Sequence, residues 1–122
     1  HSSKLTSVVL PNSLRRIEKG AFEHNIRLRS IDIPEGVNEI GDLAFNGCEA
    51  LASVSLPSTI QKIGAKAFRS CPALVTVSLP ASVRSIEFGF WVFQNSPNVS
   101  LHSQAAMRRS GYTDKFGDRL GR

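Results

Sequence analysis

The stretch LASVSLPSTIQKIGAKAFRSCPA, residues 51–73, recurs along the chain with the same spacing of its apolar residues. It is preceded by LTSVVLPNSLRRIEKGAFEHNIR and LRSIDIPEGVNEIGDLAFNGCEA and followed by LVTVSLPASVRSIEFGFWVFQNSPN. The four copies cover residues 5–27, 28–50, 51–73 and 74–98, with residues 1–4 before them and 99–122 after them. A unit this short cannot enclose its own apolar face, so the copies must stack and bury a shared core. The sequence therefore predicts a solenoid rather than one closed domain.

The first half of each copy has the alternation of a short strand. In the first copy, Val8 and Leu10 alternate with Ser7 and Val9, and Pro11 then removes a backbone donor and ends the strand. Equivalent halves stack on one another, so strands of about four residues are expected to lie parallel, about 4.8 Å apart, in a narrow sheet.

The second half of each copy has an apolar spacing closer to that of a helical turn, which predicts a short helix or a tight turn. A phenylalanine recurs there at one place in every copy. These residues are Phe22, Phe45, Phe68 and Phe93. The fourth copy reaches Phe93 through two extra residues. Aligning it with the third copy places Ile86 opposite Ile63 and Glu87 opposite Gly64.

Residues 99–122 are predicted to form an end cap and a basic tail. Val99 and Leu101 alternate with polar neighbours, which predicts a last strand over residues 99–102 with both apolar side chains inward. Ser103 is a candidate N-cap and Gly111 a candidate helix stop, so we expect a capping helix over residues 103–110. Solenoids need such a cap to shield the final rung.

The first residues indicate that the stack continues upstream. Residues 1–4 align with the end of a preceding copy, which predicts that the chain is a fragment of a longer array. An expression-tag remnant is the alternative explanation of His1, Ser2 and Ser3. We expect a capped array to be a monomer, whereas an open first rung allows the fragment to associate through its edge.

These columns resemble the BspA-like leucine-rich repeats, whose motif runs L-x-x-I-x-I-P-x-S-V-x-x-I-G-x-x-A-F-x-x-C, over about residues 5–98. The third copy matches the motif most completely, at Leu51, Val54, Leu56, Pro57, Ile60, Ile63, Gly64, Ala67, Phe68 and Cys71. The resemblance implies an α/β leucine-rich-repeat solenoid, a right-handed β-α superhelix with short parallel strands in a curved sheet and short helices or turns opposite. It also implies that the chain is part of a larger cell-surface or secreted protein and binds other macromolecules. It implies no enzymatic activity and no cofactor. An intracellular array is the alternative location.

The outward positions of the strands are the candidate binding face. Alternation exposes two side chains in each copy, most of them short and hydroxylic. They are Ser7, Val9, Ser30, Asp32, Ser53, Ser55, Thr76 and Ser78. Solenoids commonly hold a partner against such an extended face, so we expect another protein or a surface glycan to bind there. The alternatives are that hydroxyl side chains simply suit an exposed strand, and that the chain is an architectural spacer or assembly unit without its own ligand.

Three aromatic residues, Phe88, Phe90 and Trp91, crowd the fourth copy. Aromatic clusters usually belong to cores, so we expect these three to seal the last rung against the capping helix. Docking of a partner on the three rings is the alternative.

Composition limits the remaining classes of function. Hydrophobic residues make up 41% and charged residues 20% of the chain, as in ordinary folded domains, and no apolar run is long enough to insert into a membrane. The net charge of +5 is unevenly distributed: the first and third copies are basic and the second is acidic. This alternation favours stacking and solubility. No basic stripe joins an aromatic platform, so a specific nucleic-acid partner is not expected.

Cys48 and Cys71 fall in one column with Asn25 and Ser96. A disulfide between adjacent rungs is sterically conceivable, but this mixture of small residues favours buried side chains that satisfy backbone groups of the turns. No Cys and His pair has the spacing of metal ligands, and no Ser, His and acid can be placed together. The sequence therefore predicts neither a metal site nor catalysis.

Overall fold

The computed structural model describes residues 6–116 as a stack of four rungs, which we number after the four sequence copies. Each rung carries one or two short strands, and a helix follows the last rung. In chain order the elements are β1 (Arg16–Ile17), β2 (Ser30–Asp32), β3 (Glu39–Ile40), β4 (Ser53–Ser55), β5 (Lys62–Ile63), β6 (Thr76–Ser78), β7 (Glu87–Phe88) and α1 (Leu101–Ser110).

The three-residue strands β2, β4 and β6 form a parallel sheet in that order, here called the outer sheet. Ser30 pairs with Ser53 and Ser53 with Thr76, so the 23-residue period of the sequence becomes the register of the strands. The middle residue of each strand is buried and its two neighbours point outward, as alternation requires. The buried middle residues are Ile31, Val54 and Val77. The predicted stack of short parallel strands is therefore confirmed.

A second parallel sheet, which the sequence analysis did not predict, consists of β1, β3, β5 and β7 in that order. We call it the short sheet, because each strand has only two residues. Its outward row reads Arg16, Glu39, Lys62 and Glu87. Opposite charges therefore alternate from rung to rung along this row.

The register of the fourth rung corrects the sequence alignment. Ile63 pairs with Phe88 and not with Ile86, so the two extra residues lie before β7. Ile86 is turned toward the cap, where its N–H donates to the carbonyl of Ser110 at 2.8 Å. Both residues are apolar, and periodicity alone could not decide between them. The corrected register sets Gly89, and not Glu87, opposite Gly64.

That glycine column is required by a close approach of neighbouring rungs. A Cβ on Gly64 would lie 2.5 Å from the backbone nitrogen of Asp42, and a Cβ on Gly89 would lie 2.4 Å from that of Ala65. Real Cβ atoms do not come this close to backbone, so a larger residue would force the rungs apart. In rung 1 the same column holds Glu18, whose side chain is exposed.

The strand predicted over residues 7–10 does not form. Among residues 6–116, the one backbone bond from the start of rung 1 to rung 2 lies just before this segment, from the Arg29 N–H to the Thr6 carbonyl at 3.3 Å. One such bond is too little for a strand ladder. The outer sheet therefore begins at rung 2, and Ser7 and Val9 lie ahead of it.

The second half of each rung is a series of turns, so the turn alternative of the sequence analysis is right and the helix alternative is wrong. Two positions in every rung have a left-handed backbone, which interrupts a helix. One column is Gly20, Leu43, Lys66 and Trp91, and the other is His24, Gly47, Ser70 and Asn95, with φ between 57° and 76°. The backbone groups pair between rungs instead, as in the bond from the Phe22 N–H to the Ala44 carbonyl at 2.8 Å.

The core is a continuous column through all four rungs. Its largest part is a stack of the four repeat phenylalanines, with ring centroids 5.3, 5.1 and 5.6 Å apart and ring planes within 10° of parallel. The stacked rings are Phe22, Phe45, Phe68 and Phe93. Offset stacking of this kind adds about 0.5–1.5 kcal/mol per pair beyond the area that the rings bury.

Helix α1 begins two residues earlier than expected, and it takes the place of the predicted strand over residues 99–102. Ser100, and not Ser103, is the N-cap: its hydroxyl accepts the Ser103 N–H at 3.1 Å. Leu101 is 82% exposed instead of inward, whereas Val99 is buried. The helix ends at Gly111, which has φ 118°.

The segment after α1 covers the last rung and provides hydrogen-bond acceptors where a fifth rung would provide them. The N–H of Trp91 donates to Asp114 Oδ2 at 2.9 Å, and the N–H of Phe93 donates to the Tyr112 hydroxyl at 3.3 Å. In the earlier rungs the equivalent N–H groups donate to carbonyls of the next rung. Phe116 stacks on Phe93 with centroids 4.8 Å apart, so the aromatic column is covered as well.

Candidate functional site

Six of the eight candidate binding residues lie side by side on the outer sheet. They form two rows that cross the rungs: Ser30, Ser53 and Thr76 in one, and Asp32, Ser55 and Ser78 in the other. Ser53 and Ser55, at the centre, are half-buried, and the other four are exposed. The face is a flat array of hydroxyl groups with one carboxylate, at Asp32.

The other two candidates, Ser7 and Val9, are exposed but lie outside the sheet. Val9 is 97% exposed and stands one repeat before Asp32 in the sequence. An isoleucine, valine or leucine side chain exposed singly is common on protein surfaces. Here it adds an apolar contact point beside an otherwise hydroxylic face.

The two cysteines lie in the core and are not joined by a disulfide. The thiol of Cys48 donates to the carbonyl of Phe22 at 3.1 Å, and that of Cys71 donates to the carbonyl of Phe45 at 3.2 Å. Burial raises the pKa of Cys48 to about 11 and that of Cys71 to about 12. Both are therefore neutral hydrogen-bond donors between rungs and poor nucleophiles.

Ser96 continues this column in rung 4, where its hydroxyl donates to the Phe68 carbonyl at 2.7 Å. The same hydroxyl accepts the N–H of Cys71 at 2.9 Å. Asn25, at the start of the column, is fully buried, and its side-chain nitrogen and oxygen have no hydrogen-bond partner among residues 6–116. In rungs 2 to 4, the residue of this column therefore donates a hydrogen bond to a carbonyl of the preceding rung.

The three aromatic residues of rung 4 separate into two roles. Phe88 packs edge-on against Tyr112, with centroids 5.2 Å apart, and belongs to the cap. Phe90 and Trp91 do not belong to the cap, because they are 76% and 39% exposed. The expectation that all three close the last rung is therefore wrong for these two.

Phe90 and Trp91 form one end of a surface groove of about 360 Å³. We call it the turn groove, because it follows the turns that leave the short sheet. Its lining comes from all four rungs: Lys19, Asp42, Leu43, Ala65, Lys66, Phe90 and Trp91. It shares no residue with the face of the outer sheet.

Two of the five acidic residues of rung 2 accept hydrogen bonds from rung 3. Glu35 accepts the hydroxyl of Ser58 at 2.6 Å and its N–H at 2.9 Å, and the bond from the side chain lowers the pKa of Glu35. Asp42 Oδ1 accepts the N–H of Ala65 at 2.8 Å. On the short sheet, Lys62 reaches Glu87 at 3.9 Å. As an exposed ion pair, Lys62–Glu87 contributes at most about 1 kcal/mol to stability.

The described residues contain no cluster of metal-ligating side chains. Within residues 6–116 no group of three His, Cys, Asp or Glu side chains could hold a metal ion. His24 and His102 are exposed at separate places, and His1 lies outside the described residues. No helix within residues 6–116 has the length and apolarity needed to cross a bilayer.

Sequence reasoning missed the turn groove, although a signal for it was present. Once the register is known, the lining residues fall in two adjacent columns of the repeat, with both columns represented in the second to fourth copies and one in the first. Phe90 and Trp91 stood out in the sequence, but a cluster of aromatic residues looks the same before folding whether it is buried or exposed.

Comparison with known proteins agrees with this architecture. Residues 1–107 match the family model described as BspA type leucine rich repeat region, with six copies. The crystal structure of a T. pallidum leucine rich repeat protein superposes with a TM-score of 0.61 at 24% sequence identity. That match covers 95% of this chain and 64% of the other, so this chain spans about two thirds of its neighbour's length. A search of curated proteins found no match.

Leucine-rich repeat domains generally serve in protein interaction and are generally non-enzymatic, and those of the BspA type are typically associated with surfaces. The repeat columns, the two parallel sheets and the match over residues 1–107 agree with one another. The chain therefore belongs to the family of BspA-type leucine-rich repeats.

Proposed function

We propose that this chain is a non-catalytic binding domain that holds another protein against the face of its outer sheet, as part of a larger cell-surface or secreted protein. The observation that carries the proposal is the pair of in-register rows on that face. Parallel strands fix the rows at a constant spacing, so one partner can contact several rungs at once.

The chemistry of the face supports a partner that binds through many small contacts. Its hydroxyl groups both donate and accept hydrogen bonds, and Asp32 adds a charged acceptor at one end of a row. Large anchoring side chains are scarce there, apart from Val9 beside the sheet. We expect modest affinity from the described rungs and a steep gain when a longer array adds further rungs.

Surface plasmon resonance against a panel of purified extracellular matrix proteins tests the proposal. A bulky charge at the centre of the face, Ser55→Arg, should abolish binding because it prevents close approach of a partner. Ser82→Arg is the matched control, since Ser82 is an exposed turn residue outside the sheet. Binding that is lost in Ser55→Arg and retained in Ser82→Arg supports the face as the site.

Binding that survives Ser55→Arg would contradict this assignment. A glycan partner is distinguished by removing the glycans of the bound matrix protein: loss of binding would move the proposal from protein to carbohydrate. If no panel member binds this chain or a longer array, the spacer function replaces the binding function. Light scattering then measures whether the chain associates through rung 1, where Leu14 and Phe22 are only partly buried.

A further inference from the structure

We propose that the turn groove binds an extended acidic peptide segment of a partner protein. An apolar side chain of the peptide would lie against Phe90 and Trp91, and its carboxylates would follow the groove toward Lys66 and Lys19. This surface is separate from the outer sheet, so the inference does not rest on the proposed function.

The groove is a regular product of the repeat. It is built from two neighbouring positions of rungs 2 to 4 and from Lys19 in rung 1, and backbone bonds fix the position of the lining pairs. The Leu43 N–H donates to the Ala65 carbonyl, and the Lys66 N–H to the Phe90 carbonyl, both at 2.9 Å. At the end of the row, the bond from Trp91 to Asp114 serves the same purpose. The lining is thus held in place before any ligand binds, which reduces the entropy lost on binding.

The aromatic end of the groove supplies an apolar anchor. Phe90 is 76% exposed, and Trp91, beside it, is 39% exposed. Exposed aromatic residues that adjoin one another are typical of interaction surfaces, and tryptophan is among the residues that contribute most to binding energy.

The charge of the groove selects an anionic ligand. Lys19 and Lys66 carry its two ammonium groups. Its one carboxylate, at Asp42, accepts the N–H of Ala65 through Oδ1 at 2.8 Å and keeps its negative charge, so the lining carries a net charge of +1. Arg69 lines the adjoining concave surface, which shares Lys66 with the groove. Arg69 is thus a further cation in the same rung as Lys66.

The length of the groove favours a short extended segment. Four rungs at about 4.8 Å spacing span about 14 Å, and an extended peptide advances about 3.4 Å per residue, so about four or five residues fit. We therefore expect one apolar residue followed by several acidic ones. A protein segment fits better than a polyanionic glycan, because four of the seven lining residues are apolar and only two are lysines.

Fluorescence of Trp91 tests this proposal directly, because it is the sole tryptophan of the chain. The probe is a blocked peptide of one phenylalanine followed by glutamates. Control peptides replace the phenylalanine with serine, or the glutamates with glutamine or lysine. We expect a saturable change with the acidic peptide, weakened by added salt, and no saturable change with the three controls. A heparin-derived oligosaccharide forms a separate arm.

Two variants and two matched controls locate the site. Phe90→Ala and Lys66→Gln should each weaken peptide binding by about tenfold. Leu101→Ala also truncates an exposed apolar residue, and Arg109→Gln also removes an exposed cation, but both lie on α1, away from the groove. These two should leave the affinity unchanged. Amide chemical shifts of Ala65 and Leu43 provide a second readout that does not use Trp91.

The proposal is overturned if the acidic peptide gives no saturable signal, if the lysine peptide binds as well, or if all four variants weaken binding equally. A response to heparin alone would also overturn it, and would assign the groove to an anionic glycan. None of these results depends on Ser55→Arg, so the groove and the outer sheet can fail separately.

Discussion

The hydroxyl of Tyr112 accepts the backbone N–H of Phe93 at 3.3 Å, in the place where every earlier rung offers a carbonyl. The same hydroxyl donates to the carbonyl of Lys115 at 2.8 Å. A side chain from beyond the repeats thus completes the backbone ladder that the repeats begin. This bond explains how a stack of open rungs can end without leaving a buried donor unpaired.

Tyr112→Phe should lower the free energy of unfolding by about 1–3 kcal/mol, because it leaves the buried N–H of Phe93 without an acceptor while keeping the ring. Urea unfolding followed by circular dichroism measures the change. Thr113→Ala, at the exposed neighbouring position, should have almost no effect. Equal stability of the two variants would show that the cap bond does not matter.

Alkaline pH should destabilise the fold through the same residue. Burial raises the pKa of Tyr112 from 10.0 to about 12, so the folded state holds its proton where the unfolded state has lost it. The contribution to stability is therefore complete below pH 10 and lost as the pH rises toward 12. Because this is the only tyrosine, absorbance of tyrosinate reports its pKa directly. Titration near pH 10 in the folded protein would contradict its burial.

Both thiols should resist modification in the folded protein at mildly alkaline pH. The pKa values of about 11 and 12 for Cys48 and Cys71 leave little thiolate, and neither side chain is exposed. An aromatic disulfide reagent should react slowly with the native chain and rapidly with two thiols in denaturant. Fast reaction of one thiol in the native state would place that cysteine outside the core.

Cys71→Ser should be tolerated, with a loss of about 1 kcal/mol or less, because the hydroxyl can donate to Phe45 as Ser96 donates to Phe68. Cys71→Val is the matched comparison, since it fills the site but removes the donor. It should cost more than the serine variant in the same urea experiment. The reverse order would mean that packing, and not hydrogen bonding, decides this column.

Gly64→Ala should destabilise the fold by about 1–3 kcal/mol, because the added Cβ meets the backbone of rung 2. Glu18→Ala, in the same column of rung 1, should cost less than about 0.5 kcal/mol, since that side chain is exposed. Thermal unfolding of both variants compares them. A harmless Gly64→Ala would show that the rungs do not approach as closely as described.

The repeat made most of the fold predictable. Stacked strands and a buried phenylalanine column follow from a fixed period, because equivalent residues must occupy equivalent places. The register of rung 4 was not predictable, since Ile86 and Phe88 are both apolar and either suits the core. The N-cap was placed three residues late because the alternation of Val99 and Leu101 over so short a segment does not distinguish a strand from a helix start.

The candidate site was predictable only in part. Alternation was enough to propose which side chains leave the outer sheet, and four of those six are exposed there. The turn groove depends on the left-handed backbone at Lys66 and Trp91, which no residue type at those positions indicates. The cap bonds of Tyr112 and Asp114 come from side chains that lie beyond the four repeat copies, so the repeat columns could not reveal them.

Comparison of Phe68→Ala with Ser55→Ala tests most directly the claim that stacked columns hold this chain together. Phe68 is fully buried between Phe45 and Phe93, whereas Ser55 faces outward from the central strand. In urea unfolding we predict a loss of about 3–5 kcal/mol for Phe68→Ala and a change within about 0.5 kcal/mol for Ser55→Ala. Equal, small effects of the two substitutions would contradict the stacked core and the repeat register on which it rests.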